Sequence, residues 1–216
     1  MATIASYSAS ELQSLSQRVK TVTQRGGVVA IPTETYYGLG VDPFNQEAVD
    51  RLLAVKGRED GKPILVLIGS VEQLSSLTQA VSSVASSLID AFWPGPLTIL
   101  FPARPSLPRN LTAGTGMVGV RLSACRPLSE LLQRIGPLTG TSANRAGAPP
   151  AQTPEAVQET LHEEVELIVD AGPTPGGLPS TVVAAQGSLR IIREGAIGRA
   201  AIESLLRTRG FSLNVS

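Results

Sequence analysis

Apolar residues three or four positions apart predict helices at several points along the chain. The first helix follows a capping-box pattern at residues 8–11, with Ser8 as the cap, and stops at Gly26-Gly27. Asn45 is placed to cap a helix that ends at Lys56. Further helical patterns start at 70, end near 92, cover 127–134, start with Thr153 as the cap, and cover 199–207. Because these helices alternate with strand-like runs, the pattern predicts an α/β fold.

Short runs of aliphatic and β-branched residues between the helices predict strands. The run Ile64–Ile68 has five consecutive aliphatic residues and is typical of a central strand buried on both faces. The last two runs, joined by Gln186-Gly187, are expected to form a hairpin. The predicted strands cover 28–31, 64–68, 97–101, 118–122, 138–143, 167–169, 181–185 and 189–192. No repeat or linker divides the chain, so we expect one domain over residues 1–216 with its core at about 10–207.

The composition is that of a globular protein, with 42% apolar and 17% charged residues. No apolar run approaches the roughly 18 to 20 residues that span a bilayer. The N-terminus lacks the basic-then-apolar pattern of a signal peptide, so we expect a cytoplasmic protein. Acidic and basic residues balance at 18 each, and no overall field therefore favours nucleic acid.

A single cysteine, Cys125, and a single histidine, His162, limit the chemistry of this chain. They exclude a disulfide framework and a Cys/His zinc site built from this chain alone. His162 lies in a charged stretch and is interpreted as a surface residue. No protein metal site is predicted, and any metal is expected to be an oxygen-bound ion such as Mg²⁺, brought in by a substrate.

Cationic residues concentrate within the stretch from Pro32 to Pro63. Two of the three lysines, Lys56 and Lys62, lie within seven residues of each other, and Arg58 lies between them. A compact ammonium and a planar guanidinium together suit phosphate oxygens. Because acidic residues 59 and 60 intervene, a solvated charged turn is the alternative. The segment is not a P-loop, since its glycines are one residue too close and a proline follows the lysine.

Polar side chains also follow a predicted strand near residue 140. Thr139, Thr141, Ser142 and Asn144 either surround an anion or nucleotide or form an ordinary polar turn. Arg121 interrupts another aliphatic strand and needs a partner, because a buried unpaired guanidinium is very costly. That partner is either a ligand carboxylate or a protein carboxylate.

Several of these residues belong to short motifs that occur in the order of one known family. The motifs are PTETYYGLG, Lys56-x-Arg58 with Lys62-Pro63, WPGPLT, VGVRL, Ser142-x-Asn144, STVV and IIREGAI. They cover nearly all of residues 10–200. The chain therefore resembles the Sua5/YrdC/TsaC family, the L-threonylcarbamoyladenylate synthases, in its short single-domain form.

The resemblance implies the YrdC-like fold, a twisted mixed parallel and antiparallel sheet with flanking helices around a deep, positively lined cavity. It implies that L-threonine, bicarbonate or CO2, and ATP become L-threonylcarbamoyl-AMP and pyrophosphate, for the t6A37 modification of tRNA. The carbamate formed on the threonine amine attacks the α-phosphorus, and pyrophosphate leaves with Mg²⁺. Such a transfer depends on positioning and charge neutralisation, so no catalytic histidine or cysteine is needed. A transient transfer of the product to a tRNA threonylcarbamoyltransferase complex is also implied.

The resemblance also assigns roles to individual residues. The implied threonine-binding residues are Thr33, Arg121 and Ser180, with Arg121 at the carboxylate. The implied ATP-binding residues are Lys56, Arg58, Ser142, Asn144 and Arg193, of which Lys56 and Arg58 act catalytically at the phosphates. Further candidates are Thr35, Lys62 and Thr141. Two positions depart from the family pattern: Leu67 stands where many relatives carry histidine, and Met117 stands where some carry threonine.

Two other functions are alternatives to this one. A double-stranded RNA-binding or ribosome-assembly protein would use the same basic cavity, but the zero net charge argues against it. A carbamoyl-transfer module like that of hydrogenase-maturation proteins would have an acylphosphatase-like domain and zinc-finger cysteines beside it, which this sequence lacks.

Overall fold

Two mixed β-sheets and their flanking helices make up the computed structural model, which describes residues 2–57, 63–186 and 189–211. The strands are β1 (Thr3–Ser6), β2 (Val29–Ile31), β3 (Gly38–Gly40), β4 (Leu65–Ile68), β5 (Leu97–Pro102), β6 (Met117–Leu122), β7 (Leu138–Thr139), β8 (Thr141–Ser142), β9 (Leu167–Asp170), β10 (Thr181–Ala184) and β11 (Arg190–Arg193). The helices are α1 (Leu12–Gln24), α2 (Gln46–Val55), α3 (Leu74–Leu77), α4 (Ser83–Phe92), α5 (Arg126–Ile135), α6 (Pro154–Leu161) and α7 (Arg199–Thr208). A short 3₁₀ turn, Val71–Gln73, precedes α3.

Both sheets contain parallel and antiparallel pairs. The first has the order β1-β9-β2-β3-β8, in which β9 pairs in parallel with β1 and β2, and β3 is antiparallel to both of its neighbours. The second has the order β11-β10-β5-β6-β4-β7, with parallel pairs β10/β5 and β6/β4. The mixed sheet with flanking helices is thus confirmed, and so is the hairpin of the last two strands.

The segment 138–142 connects the two sheets. Thr139 pairs with Val66 in β4, while its N–H donates to the carbonyl of Val41 beyond β3 at 3.0 Å. Two residues later, Thr141 pairs with Leu39 in β3. Gly140 lies at the crossing, where an added Cβ would come within 2.5 Å of the Leu67 side chain. The crossing therefore needs a residue without a side chain.

Two apolar clusters fill the space around the sheets. The larger one includes Val118, Val120 and Leu122 of β6, whereas α1, α5 and Leu67 of β4 contribute to the smaller one. Because side chains alternate along a strand, Gly119 and Arg121 of β6 face away from the larger core. This alternation places Arg121 on the other face of the second sheet.

The structure differs from the sequence analysis at three places. Helix α1 begins after Glu11 without a side-chain cap, and the hydroxyl of Ser8 bonds to that of Ser10, so the predicted Ser8 cap is wrong. Strands β1 and β3 were not predicted, because β1 is defined by pairing with the distant β9 and β3 consists of Gly-Leu-Gly, which has no strand pattern of its own. Within the described ranges, no helix is long and apolar enough to cross a membrane.

Candidate active site

One row of side chains crosses the second sheet on the face that carries Arg121. Arg193 pairs with Val182, Val182 with Thr98, and Leu67 with Arg121. The register of β5 with β6 places Thr98 opposite Arg121. The row therefore brings Arg121 and Arg193, which are 72 positions apart in sequence, to one face of one sheet.

Arg121 is buried, with only 5% of its surface exposed. Burial lowers the pKa of its guanidinium, and the nearby Glu34 carboxylate opposes this shift. The Nε atom lies 3.5 Å from Oε1 of Glu34. A protein carboxylate is thus one partner of Arg121, which was one of the two alternatives that the sequence left open.

Glu34 was missed by sequence reasoning, although it lies inside the PTETYYGLG motif. Its Oε2 accepts a hydrogen bond from the hydroxyl of Ser123, which in turn accepts one from the N–H of Cys125 at 3.1 Å. The loop after β2 is therefore tied to the end of β6. Glu34 belongs to a loop of the first sheet and Ser123 follows a strand of the second, so the motif alone did not identify the contact.

Thr33 and Thr35 shape the loop that carries Glu34. The hydroxyl of Thr33 accepts hydrogen bonds from the N–H groups of Thr35 and Tyr36 and donates to the carbonyl of Tyr36 at 2.7 Å. The Thr35 hydroxyl lies 3.2 Å from that of Thr33. In the described conformation, the Thr33 hydroxyl thus stabilises a tight turn beside Arg121.

Ser180 and Arg193 contact each other at the far end of the row. Arg193 donates from Nη2 to the carbonyl of Ser180 at 2.8 Å and from Nε to the same oxygen at 3.2 Å. The Ser180 hydroxyl is 2.9 Å from that of Thr98, which is the neighbour of Arg121 in the row. Burial lowers the pKa of Arg193. The structure therefore brings Ser180, Arg193 and Arg121 to the same face.

Lys56 forms a second group with Ser142 and Asn144. Its ammonium donates to the carbonyl of Ser142 at 2.8 Å, and to the carbonyl and Oδ1 of Asn144 at 2.6 and 2.8 Å. The Asn144 amide then donates to the carbonyls of Arg145 and Ala148, at 3.0 and 2.6 Å. Lys56 therefore organises the loop after β8, as well as bringing a positive charge to it.

The remaining predicted residues have different outcomes. Arg58 and Lys62 lie outside the described residues. Thr141 is half-buried in β8, next to Ser142. Thr139 is fully buried, and its hydroxyl accepts the N–H of Val41 at 2.9 Å. Of the two alternatives that the sequence left open for this group, Thr139 fits the ordinary polar turn, because its hydroxyl accepts a backbone N–H.

The Gly/Pro-rich loop at 171–180 packs over the PTETYYGLG loop. The N–H of Gly176 donates to the carbonyl of Thr35 at 2.7 Å, and the hydroxyl of Tyr36 donates to the carbonyl of Gly177 at 3.1 Å.

Cavities of about 820 Å³ beside α1 and about 520 Å³ around residues 71–90 lie elsewhere and contain no predicted site residue. The convergence of charged groups, and not cavity size, therefore identifies this site.

The two positions that depart from the family pattern lie on the same sheet face. Leu67 is fully buried next to Arg121 and packs within the smaller core. Met117 starts β6 and pairs with Pro102.

Among the described residues, no group of three or more acidic, histidine or cysteine side chains is placed to hold a metal ion.

The fold and the site together define a class of α/β protein. Two mixed sheets are joined by the connection at 138–142. The buried Arg121 and the lysine-centred loop after β8, in which Ser142 and Asn144 contact Lys56, flank this connection. The family model Sua5_yciO_yrdC, described as telomere recombination, matches residues 21–195. The chain belongs to this family, which confirms the resemblance drawn from the motifs.

Individual relatives are similar over most of the chain. The threonylcarbamoyl-AMP synthase of Pseudomonas aeruginosa strain UCBPP-PA14 is 39% identical over 154 residues, which are 71% of this chain and 83% of that protein. A solved structure of Pyrococcus abyssi Sua5 in complex with L-threonine matches with a TM-score of 0.86 at 30% identity, over 100% of this chain and 66% of that one. Escherichia coli YciO matches with a TM-score of 0.81 at 24% identity, over 94% and 99% of the two chains, and supports the fold alone. The chain also spans only 47% of the curated Pyrococcus abyssi relative.

Proposed function

We propose that the protein is a threonylcarbamoyl-AMP synthase that acts in the cytoplasm on L-threonine, bicarbonate or CO2, and ATP. The observation that carries this proposal is the buried Arg121 on an aliphatic strand, facing the same side of the sheet as Ser180 and Arg193. Relatives that cover most of this chain carry this name, and a structural relative holds L-threonine.

Arg121 is the proposed partner of the threonine carboxylate. A guanidinium binds a carboxylate through two parallel N–H···O bonds, and burial strengthens such a pair. Thr33, in the turn that carries Glu34, and Ser180, which bonds to Thr98 next to Arg121, have hydroxyls that can bind the amino acid's polar groups. Binding in this way would fix the amine for its reaction with CO2, which requires the unprotonated form.

The ATP phosphates are proposed to lie at the lysine-centred loop. Lys56, Ser142 and Asn144 converge there, and Arg58 follows Lys56 by two residues. Arg193 is the proposed contact on the opposite side, with Thr35, Lys62 and Thr141 as further candidates. Magnesium enters with ATP as part of the substrate. Cations at these positions would offset the charge that develops as the carbamate oxygen attacks the α-phosphorus and pyrophosphate leaves.

The product is a mixed anhydride of a carbamate and AMP, which is reactive towards water. A short-lived product of this kind needs a nearby acceptor. We propose a transient hand-off to a tRNA threonylcarbamoyltransferase complex, with at most weak RNA binding by this chain itself.

The test is pyrophosphate release by the purified protein. We expect release from ATP only when both L-threonine and bicarbonate are present, because the attacking oxygen belongs to the carbamate. Arg121→Gln is expected to reduce kcat/KM for threonine by about tenfold or more, since it removes a charged hydrogen-bonding partner. Arg126→Gln is the matched control, because Arg126 pairs with Glu130 on the exposed side of α5. Equal pyrophosphate release without threonine would refute the proposed function.

A further inference from the structure

Glu34 and Arg121 form an ion pair whose two facing atoms are buried and are not hydrogen-bonded. Oε1 of Glu34 and Nε of Arg121 are 3.5 Å apart, and neither atom has a hydrogen-bond partner among the described residues. Buried polar atoms are nearly always hydrogen-bonded, and exceptions call for an explanation. The opposite charges still attract each other at this distance, because screening is weak in a buried site.

Ser123 holds the Glu34 carboxylate in place. Its hydroxyl donates to Oε2 of Glu34 and accepts the N–H of Cys125, so the second carboxylate oxygen is tied to the backbone after β6. Ser123 is only 1% exposed and lies two residues after Arg121. The carboxylate thus has one oxygen anchored and the other turned towards Nε of Arg121.

The two edges of a guanidinium group are distinct. One edge carries Nε–H with one Nη, and the other edge carries both Nη groups. A carboxylate that faces Nε leaves the second edge for another carboxylate. Two carboxylates can then share one arginine without competing for the same hydrogens.

We propose that Glu34, anchored by Ser123, is a positioning residue that fixes the orientation of Arg121, so that the edge with both Nη groups receives the carboxylate of the amino-acid substrate. This inference rests on the proposed role of Arg121 in threonine binding. Glu34 acts through Arg121 and needs no contact with the substrate. The network extends the site to Glu34 and Ser123, neither of which is among the residues that the family motifs assign.

A role in charge balance alone predicts the opposite effect. If Glu34 only neutralised Arg121, then Glu34→Gln would leave the guanidinium with the substrate as its main negative partner, and threonine would bind more tightly. If Glu34 orients Arg121, the same substitution would let the guanidinium rotate, and threonine would bind more weakly. The sign of the change therefore separates the two roles.

The first experiment compares Glu34→Gln with Glu130→Gln in the full chain. Glu130 is the matched control, because it also accepts a side-chain hydrogen bond and pairs with an arginine, but on α5. We expect E34Q to raise the calorimetric Kd for threonine by about tenfold and to leave the Kd for ATP within about twofold of the wild-type value. E130Q is expected to change neither. Tighter threonine binding by E34Q, or an unchanged Kd, would overturn the inference.

A double-mutant cycle tests whether the effect passes through Arg121. In an Arg121→Gln background, E34Q is expected to change kcat/KM for threonine by less than about twofold, because the group that it orients is absent. The same loss in both backgrounds, accompanied by a lower Tm, would show a merely structural role and would contradict the proposal.

A readout independent of activity separates this inference from the proposed function. The Nε–Hε NMR signal of Arg121, assigned by its loss in R121Q, is expected to shift and to exchange faster with solvent in E34Q and in Ser123→Ala. An unchanged signal in both variants would overturn the inference even in an active enzyme. A shifted signal in a protein without threonine-dependent activity would support the Glu34–Arg121 coupling and refute the proposed function alone.

Discussion

Tyr37 connects three loops that meet at the candidate site. Its N–H donates to Ala151 at 2.9 Å, its carbonyl accepts the N–H of Ala143 at 2.8 Å, and its hydroxyl donates to the carbonyl of Gly172 at 2.8 Å. The side chain is fully buried, and this burial raises the pKa of Tyr37 to about 12. The neutral phenol is therefore part of the folded structure, and its ionisation opposes folding.

The pH dependence of stability should report this phenol. Its pKa is raised above the unfolded value of 10.0, so the folded state retains the proton that the unfolded state loses. The stabilisation is complete below pH 10 and is lost as the pH rises towards about 12. Over this range, we expect the free energy of unfolding of the wild type to fall by about 1–3 kcal/mol relative to that of Tyr37→Phe. Urea unfolding measures both.

Two comparisons check that prediction. At pH 7, Y37F should be less stable than the wild type by about 1 kcal/mol, because it loses the hydrogen bond to Gly172. Tyr36→Phe removes an exposed hydroxyl from the same loop and is the control. If the gap between the wild type and Y37F stays constant between pH 8 and 11.5, measured in roughly half-unit steps, Tyr37 does not titrate as described.

Helix α2 shows how one element serves the site. Oδ1 of Asn45 accepts the N–H of Ala48 at 3.1 Å, which confirms the predicted cap. The apolar side chains of Val49 and Leu52 enter the larger core, and the helix then ends at Lys56 beside Ser142 and Asn144. The position of the Lys56 ammonium therefore depends on a helix that is fixed at both its N-terminus and its buried side.

Removal of the Asn45 cap should destabilise the protein. Asn45→Ala leaves an N–H of the first turn without its partner and is expected to lower the free energy of unfolding by about 1 kcal/mol. Asn45→Asp retains the acceptor and should restore most of this loss, while Gln46→Ala, at the exposed neighbouring position, should change it by less than about 0.5 kcal/mol. Urea unfolding measures all three. Equal stability of N45A and the wild type would mean that the cap contributes nothing.

At the scale of single elements, sequence patterns predict a feature correctly where it depends only on neighbouring residues. Helix caps at Asn45 and Thr153 depend on one side chain and the next few N–H groups, and both are confirmed. Ser8 carries the same pattern, but its cap is absent: α1 begins after Glu11, and the Ser8 hydroxyl bonds to that of Ser10. Strand β3 has two glycines in three residues, and only antiparallel pairing with β2 and β8 makes it a strand.

At the scale of the whole molecule, residues 138–142 tie the two sheets into one network. Thr139 is central to this connection, since its backbone pairs with β4 and its hydroxyl accepts the N–H of Val41 beyond β3. Loss of that hydroxyl would leave a buried donor without a partner. Both sheets should therefore respond to a change at this one position.

Thr139→Val preserves the shape of the side chain and removes the acceptor. We expect it to lower the free energy of unfolding by about 1–3 kcal/mol, and to lower the protection of the amides of β2 and β5 from hydrogen exchange by similar free energies. Thr23→Val is the control: the Thr23 hydroxyl is also buried, but it donates to a carbonyl of its own helix, which keeps its helical hydrogen bond. A loss of protection confined to one sheet would show that the two sheets unfold separately.

The sequence by itself determined the fold class, most helices and strands, and the residues Lys56, Arg121, Ser142, Asn144, Ser180 and Arg193 as candidates, because periodicity and motifs are local properties of the chain. It left open which carboxylate faces Arg121 and whether Thr139 belongs to an anion site or to an ordinary polar turn. Only the tertiary structure decided these points, because the packing of the loop after β2 against β6 and of Thr139 against Val41 brings together residues that are distant in sequence. The loop after β2, which belongs to the other sheet, brings Glu34 to Arg121 and Ser123, a contact that no spacing along the chain reveals.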